Sequence, residues 1–367
     1  MTAPDSGPAE GDLGRLGWDG GHAQAFADLK DPALVPGRVA HEERRRYGVI
    51  TAAGEVSATL AGRLFHMAGE ASALPAVGDW VALARLPGES RGVIRHLLPR
   101  RTRLARCVAG RETREQVLAA NVDLAFVVQS LDGNFNPRRL ERFLMMVHDG
   151  GVRPIVVLNK ADLCPDVEAL RARASAVCAR TPVLITSVRR RLGIKAMAAA
   201  IRPSETVAFI GSSGVGKSSL INCLCGEPLL PTLEVRESDS KGRHATTWRE
   251  LIALPGGGLV VDTPGLRELQ AWSDQEGLAQ AFPEILELAA GCRFRDCRHG
   301  GEPGCEVRSA VEFGSLPRAR YDAYLKLDVE RLALAGRRQE QARSPTRPKS
   351  QKAKKRRPGA EDVDGAE

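Results

Sequence analysis

The chain has 367 residues, 43% of them apolar and 4% aromatic, with a formal net charge of +8. That length has room for two or three domains with cores of ordinary size; no run is apolar for long enough to span a bilayer as a helix, and the scarcity of aromatics argues against a surface built on base stacking. The charge is uneven: residues 342–357 hold eight Lys or Arg and no acid, which leaves the rest of the chain balanced.

In chain order, residues 1–13 are small, acidic and Pro/Gly-containing, without the basic start and apolar core of a signal peptide. They open an N-terminal extension (1–35), partly disordered, in which LGWDGGHAQAFADL (16–29) has the pattern of a short helix. Between 36 and 108 the texture is of short β-like runs broken by turn residues, among them RYGVITAAG, EVSATLAG, GDWVALARL and GVIRHLL. Five such strands in about 70 residues predict a small OB-like β-barrel. From 112 to 268 the apolar runs DLAFVVQS, PIVVLNK, PVLITS, TVAFIG and LVVDT alternate with helical patterns such as PRRLERFLMMVHDG. That predicts a doubly wound parallel sheet with ligands at its C-terminal edge. A small helical domain with a Cys/His cluster follows (270–336), including a helix at 317–335. Then comes a disordered basic tail (337–367), which is either solubilising or a salt-sensitive grip on nucleic-acid phosphate.

The segment Gly211-Ser212-Ser213-Gly214-Val215-Gly216-Lys217-Ser218, followed by Ser219, satisfies the Walker A pattern, with a strand before it and a helix after it. Glycines let backbone N–H groups turn inward around phosphate, and the helix N-terminus adds positive potential. Lys217 is placed to neutralise the β- and γ-phosphates and Ser218 to ligate Mg²⁺.

Upstream, the run VVLN ends in Asn159-Lys160-Ala161-Asp162. Guanine offers two adjacent donors, N1–H and the exocyclic amine, and one ionised carboxylate accepts from both. Adenine has an acceptor at N1 and no such amine, so it would leave Asp162 unpaired. Asn159 and Lys160 are expected to brace the loop and cover the base. At the end of LVVDT, Asp262-Thr-Pro-Gly265 stands where P-loop enzymes keep a Mg²⁺-side aspartate and a γ-phosphate-sensing glycine. Thr246 and Thr247, in KGRHATTWREL, are available to close on Mg²⁺. The order is base reader, phosphate loop, threonine loop, DTPG: a complete set of GTPase parts, cut and rejoined as a circular permutation, which domains tolerate where their ends lie close at the surface.

Cys292, Cys297, His299 and Cys305 are spaced C-x4-C-x-H-x5-C. Four such donors within fourteen residues fit one tetrahedral structural Zn²⁺ with no open position for catalysis. The other cysteines read as small core residues, and the compartment as reduced and cytoplasmic.

With its permuted order, GRHATT, DTPG and this cluster, the chain resembles the RsgA (YjeQ/YloQ) family of small-ribosomal-subunit biogenesis GTPases over roughly 14–335. The resemblance implies a multidomain protein: an OB-fold, a circularly permuted α/β P-loop GTPase domain and a C-terminal zinc domain. It also implies GTP hydrolysis that is slow alone, stimulated by the small subunit, and used late in that subunit's maturation. The expected partners are the subunit and its rRNA, with no membrane and a monomeric chain. Two departures stand out. Ala245-Thr246-Thr247 replaces the usual three threonines, leaving open which threonine meets Mg²⁺ (Thr246 is taken here). Ser187-Val188 replaces the usual Ser-Ala of the second guanine-side loop. Where many GTPases carry a water-orienting glutamine after DxxG, this chain has Leu266, which cannot polarise water. His244 is the nearest catalytic candidate in sequence, and the resemblance supports a histidine there; a capping or packing role is the alternative. Two other readings, a P-loop ATPase or kinase and a scaffold that uses GTP only to hold its shape, are separated from this one by nucleotide competition and by subunit-stimulated turnover.

Overall fold

The computed structural model describes residues 13–43, 45–67, 73–86, 88–108, 114–178, 180–227, 249–262 and 275–343. A helix α1 (Gly20–Ala27), capped by the Asp19 carboxylate, precedes a five-stranded barrel. Its strands are β1 (Leu34–Glu43), β2 (Arg46–Thr51), β3 (Gly54–Leu60), β4 (Trp80–Arg85) and β5 (Arg91–Leu97), with a short helix α2 (Gly62–Met67) between β3 and β4. They run in the order β1-β2-β3-β5-β4 and close through β1–β4, where Leu34 lies opposite Ala84. Val39, Val49, Val56, Leu83 and Ile94 fill the barrel, as the alternation of apolar residues requires. This is the expected OB-like barrel.

A hairpin of β6 (Arg103–Val108) and β7 (Arg114–Ala120) leads into a parallel sheet. There β8 (Leu124–Ser130), β9 (Arg153–Asn159), β10 (Val183–Ile185), β11 (Thr206–Ile210) and β13 (Leu259–Asp262) lie in the order β10-β9-β8-β11-β13. The strands are apolar on both faces because both are covered. On one side Val127, Val156 and Ile210 pack with Leu140, Phe143 and Leu144 of α3 (Pro137–Asp149) and with Ala174 of α4 (Val167–Cys178). On the other, Phe126, Val157 and Phe209 pack with Met197 of α5 (Ile194–Ala199) and Leu220 of α6 (Lys217–Cys225). The order reverses between β8 and β11, which makes the C-terminal end of β11 the topological switch point.

Two features join barrel and sheet. Strand β12 (Arg249–Ala253) pairs antiparallel with β13 and, through His41–Glu250, with β1, so the strands form one eleven-stranded sheet. Arg38 of β1 is fully buried, and its guanidinium donates to Gly78 O (3.2 Å), Asn121 O (3.2 Å), Thr206 Oγ1 (2.8 Å) and Leu16 O. Burial lowers its pKa to about 10.

The C-terminal unit consists of α7 (Gln275–Ala281), α8 (Pro283–Ala289), α9 (Glu306–Glu312) and α10 (Arg318–Arg343) around Phe282, Ile285, Val307 and Leu327, with Met145 of α3 inserted. Buried Arg320 fixes it to the sheet domain. It donates to Glu141 of α3 (3.0 Å), Glu284 (2.5 Å), Val177 O (3.2 Å) and Ala281 O, and stacks 3.9 Å over Phe282. Burial raises the Glu141 carboxyl and Arg320 opposes that shift. Arg320→Ala would leave Glu141 buried and unpaired, so the C-terminal unit is expected to lose about 3–5 kcal/mol, while Arg320→Met with Glu141→Leu regains most of it. Denaturant-dependent hydrogen exchange of residues 275–335 measures both; equal protection in Arg320→Ala and parent would contradict the account.

Candidate functional site: a nucleotide pocket and a metal cluster

Three of the predicted motifs begin at the C-terminal ends of strands of the parallel sheet: Asn159 at the end of β9, Gly211 just after β11 and Asp262 at the end of β13. The phosphate loop turns at the switch point. Gly211 has φ +155°, and a Cβ there would lie 2.4 Å from Val128 O. Gly216 has φ +96°, and a Cβ would lie 2.4 Å from Asn159 Nδ2. These positions need glycine for both conformation and room. Ser212, Ser213, Gly214 and Val215 complete the turn, and α6 begins at Lys217 with Ser218 and Ser219 in its first turn. The Lys217 ammonium donates to Gly211 O and Ser212 O, both at 2.7 Å, so it lies along the loop.

The base-reading loop is held to the phosphate loop by one side chain. Asn159 is 2% exposed; its Nδ2 donates to Val215 O (2.9 Å) and its Oδ1 accepts from Thr186 Oγ1 (3.0 Å). Fifty-six positions separate Asn159 from Val215, so the two motifs of the permuted order meet in space. Lys160 is left-handed (φ +61°), which turns the chain into the short helix Ala161–Leu163, and the Ala161 N–H donates to Thr186 O (3.1 Å). Asp162 Oδ1 accepts from Ser187 Oγ at 2.5 Å. That bond, with the nearby Arg189 and Arg190, holds the Asp162 carboxyl below the usual carboxylate range. The Ser187 N–H itself donates to Leu192 O (3.1 Å), so Ser187 acts on the pocket through its hydroxyl.

Sequence reading missed Asp132. Its Oδ2 accepts from Lys160 Nζ at 2.6 Å and its Oδ1 from Ser130 Oγ at 2.7 Å. Partial burial would raise this carboxyl, but the two hydrogen bonds leave it lowered. The only signal in the sequence was an acidic residue just past β8. His244, Thr246, Thr247, Gly265 and Leu266 lie outside the described residues, as does the tail beyond Arg343.

In the C-terminal unit the ligand atoms of Cys292, Cys297, His299 and Cys305 all lie within 4.8 Å of one another. The closest approaches are Cys292 Sγ–Cys305 Sγ 3.9 Å, Cys292 Sγ–His299 Nδ1 3.6 Å and His299 Nδ1–Cys305 Sγ 3.4 Å. Tetrahedral Zn–S and Zn–N bonds require edges of about 3.8 and 3.6 Å, so the donor set fits a zinc ion with His299 binding through Nδ1. The left-handed His299 backbone (φ +61°) is fixed by Tyr321, whose hydroxyl donates to His299 O at 2.5 Å. Desolvation, with the neighbouring sulfurs, pushes the Cys297 thiol up to about 11; a central cation reverses that balance.

A family model described as RsgA GTPase matches residues 97–272. A small ribosomal subunit biogenesis GTPase RsgA of Opitutus terrae is 47% identical over 89% of this chain and 91% of its own. One from Streptomyces coelicolor is 40% identical over 95% and 94%. Among solved structures, YjeQ from Thermotoga maritima superposes with a TM-score of 0.59 at 26% identity, covering 82% of this chain and 99% of its own. YloQ, described as a circularly permuted GTPase, gives 0.59 at 28%, covering 86% and 97%. The likeness extends from the barrel through the cysteine cluster and includes the permuted order seen in the strand tips: the chain belongs to the RsgA GTPase family.

Proposed function

We propose that this protein is a Mg²⁺-dependent GTP hydrolase that binds the small ribosomal subunit and acts in its late maturation, its turnover stimulated by the subunit. The observation that carries the nucleotide half is the Asn159–Val215 bond, which sets base reader and phosphate loop at a fixed distance. The names of the relatives support the ribosomal half.

Asp162 accepts guanine N1–H and the exocyclic amine, with Ser187 holding its far oxygen. Lys160 lays its stem over the base, and Ala161 and Asn159 shape the loop. The Gly211–Ser219 backbone cradles the phosphates, and Lys217 swings from its loop carbonyls to the β- and γ-oxygens. Ser218 and Thr246 ligate Mg²⁺, with Asp262 on the metal side and Gly265 sensing the γ-phosphate. His244 is the catalytic candidate. Zinc at Cys292, Cys297, His299 and Cys305 supplies structure and no chemistry on substrate. The family's soluble partner, and the lack of any described helix long and apolar enough to cross a membrane, support a cytoplasmic protein.

The test is steady-state phosphate release from GTP and from ATP, with and without purified small subunits. Stimulation for GTP alone is expected; GTP bound without any subunit effect would sink the ribosomal half. Asp132 gives a second check. Asp132→Ala frees the Lys160 ammonium, so GTP and GDP should bind about three- to tenfold more weakly through faster release, with the preference for GTP over ITP unchanged. Stopped-flow release of a fluorescent GDP measures it, and parental rates would remove Asp132 from the pocket.

A further inference from the structure

The loop that supplies Ser187 continues as Val188-Arg189-Arg190-Arg191-Leu192. It is a closed turn. Ser187 and Leu192 exchange backbone hydrogen bonds (3.1 and 3.0 Å), Arg191 N donates to Val188 O (3.1 Å), and Arg190 N donates to Ser187 Oγ (3.1 Å). Arg191 sits in the left-handed region (φ +52°), which ends the turn. All three arginines are exposed, and the adjoining Leu192 is 50% exposed.

Several other surface arginines have a carboxylate at hand: Arg142 meets Glu330, Arg153 meets Glu205 and Arg318 meets Asp322. Arg189, Arg190 and Arg191 have no ion-pair partner among the described residues. Three adjacent like charges on a closed turn repel one another, and the Asp162 carboxylate near Arg189 and Arg190 supplies one negative charge against three. The chemistry that does so best is a polyanion that places an oxyanion against each guanidinium, in bidentate geometry that lysine does not offer.

We propose that the turn 187–192 is a docking site for the phosphodiester backbone of RNA, contacted by Arg189, Arg190 and Arg191. The choice of RNA over an acidic protein surface rests on the ribosomal reading above. The site stands apart from the guanine contacts but shares Ser187 with them, so RNA held on the turn also holds the donor to Asp162. An aspartate carboxyl is ionised at neutral pH even at its ordinary pKa, and Ser187 still donates to Asp162 without the arginines, so their loss should leave GTP binding in the absence of RNA little changed.

The experiment compares the parent with Arg189→Gln/Arg190→Gln/Arg191→Gln, using two probes: purified small ribosomal subunits and the protein-free rRNA extracted from them, each titrated from 50 to 300 mM KCl. Loss of three phosphate contacts is expected to flatten the slope of log K against log salt by about 2–3 on both probes and to weaken binding about tenfold or more at low salt. Replacement of all three by Lys should keep the slope. Fluorescent GDP binding should match the parent throughout; if the triple variant fails to bind GDP, the single Arg190→Gln variant must flatten the slope by about 1. Parental slope and affinity on both probes overturn the proposal. So does a loss on subunits with none on protein-free rRNA, because the turn then meets a ribosomal protein. A parent that binds protein-free rRNA through this turn but does not bind subunits sinks the ribosomal reading and leaves the RNA site standing.

Discussion

Asparagine in place of Asp162 is expected to lower affinity for GTP by about three orders of magnitude and to raise affinity for XTP. Both carboxylate oxygens of Asp162 are acceptors, and the Ser187 hydroxyl, 2.5 Å from Oδ1, leaves Oδ2 and the second lone pair of Oδ1 for the base. An amide keeps one acceptor and makes the other a donor. Ser187 Oγ already accepts from the Arg190 N–H, so its hydroxyl hydrogen favours the rotamer with the amide oxygen toward itself and the amide nitrogen toward the base. That nitrogen then opposes the guanine amine, and two donors are left facing each other. Xanthine carries a carbonyl oxygen at that ring position and accepts instead. Competition of GTP and XTP against a fluorescent GDP measures the exchange, and a variant that still preferred GTP would remove Asp162 from base reading. The sign of the pH dependence follows from the same bond. The carboxyl is held below its usual range, so it stays ionised, and GTP affinity in the parent should be flat from pH 8 down to about 5. Ser187→Ala returns the carboxyl toward its ordinary value, and affinity should begin to fall at a higher pH than in the parent.

The loops that touch nucleotide were legible because each is contiguous. Gly211–Ser218 and Asn159–Asp162 carry their own turn chemistry, and an apolar strand leads into each. The strand set was legible for the same reason: β8, β9 and β11 each contain an unbroken apolar run (124–128, 154–158 and 207–210), while barrel strands such as β3 alternate. What could not be read is what joins distant parts. Arg38 reaches Thr206 across 168 positions and Arg320 reaches Glu141 across 179. Arg38 satisfies its donors with carbonyls and a hydroxyl, so no charge pattern announces it. Glu141 sits in α3 among residues that read as an ordinary amphipathic face. Strand β12 lies between β13 and β1, and its short run RELIA gave no indication that it would make the barrel and the nucleotide sheet continuous. Asp132 lies between these cases: its partner Lys160 is in a recognised motif, but the pairing depends on β8 and β9 being neighbours in register, with Ser130 opposite Asn159.

Removing the metal should unfold the C-terminal unit and leave the nucleotide pocket intact. The loop from Cys292 to Cys305 has little apolar content of its own: Phe294 is 41% exposed, and Cys305 and His299 are the buried residues of the segment. Its shape is held by Arg293 N donating to Gly304 O (2.9 Å), by Tyr321 reaching His299 O and, with the proposed zinc bound, by the four ligands. Cys305 also begins α9, and Tyr321 lies in the first turns of α10, so the cluster is the point at which both helices are set. A structural zinc ion in such a small site contributes on the order of 10 kcal/mol to folding, more than the core around Phe282 and Val307 can supply alone. Zinc chelation, or Cys305→Ser, is therefore expected to abolish hydrogen-exchange protection through residues 275–335, with release of one zinc ion per chain measured by a colorimetric chelator. GTP binding should stay within about twofold of the parent, because Asn159, Lys217 and Ser187 rest on the two sheet cores, while the third core meets the sheet domain along α3, at residues such as Glu141, Arg142 and Met145. Subunit-stimulated hydrolysis should fall with the unit. Full protection of 275–335 after complete zinc release would show that the helices hold themselves, and the cluster would then need a role other than folding.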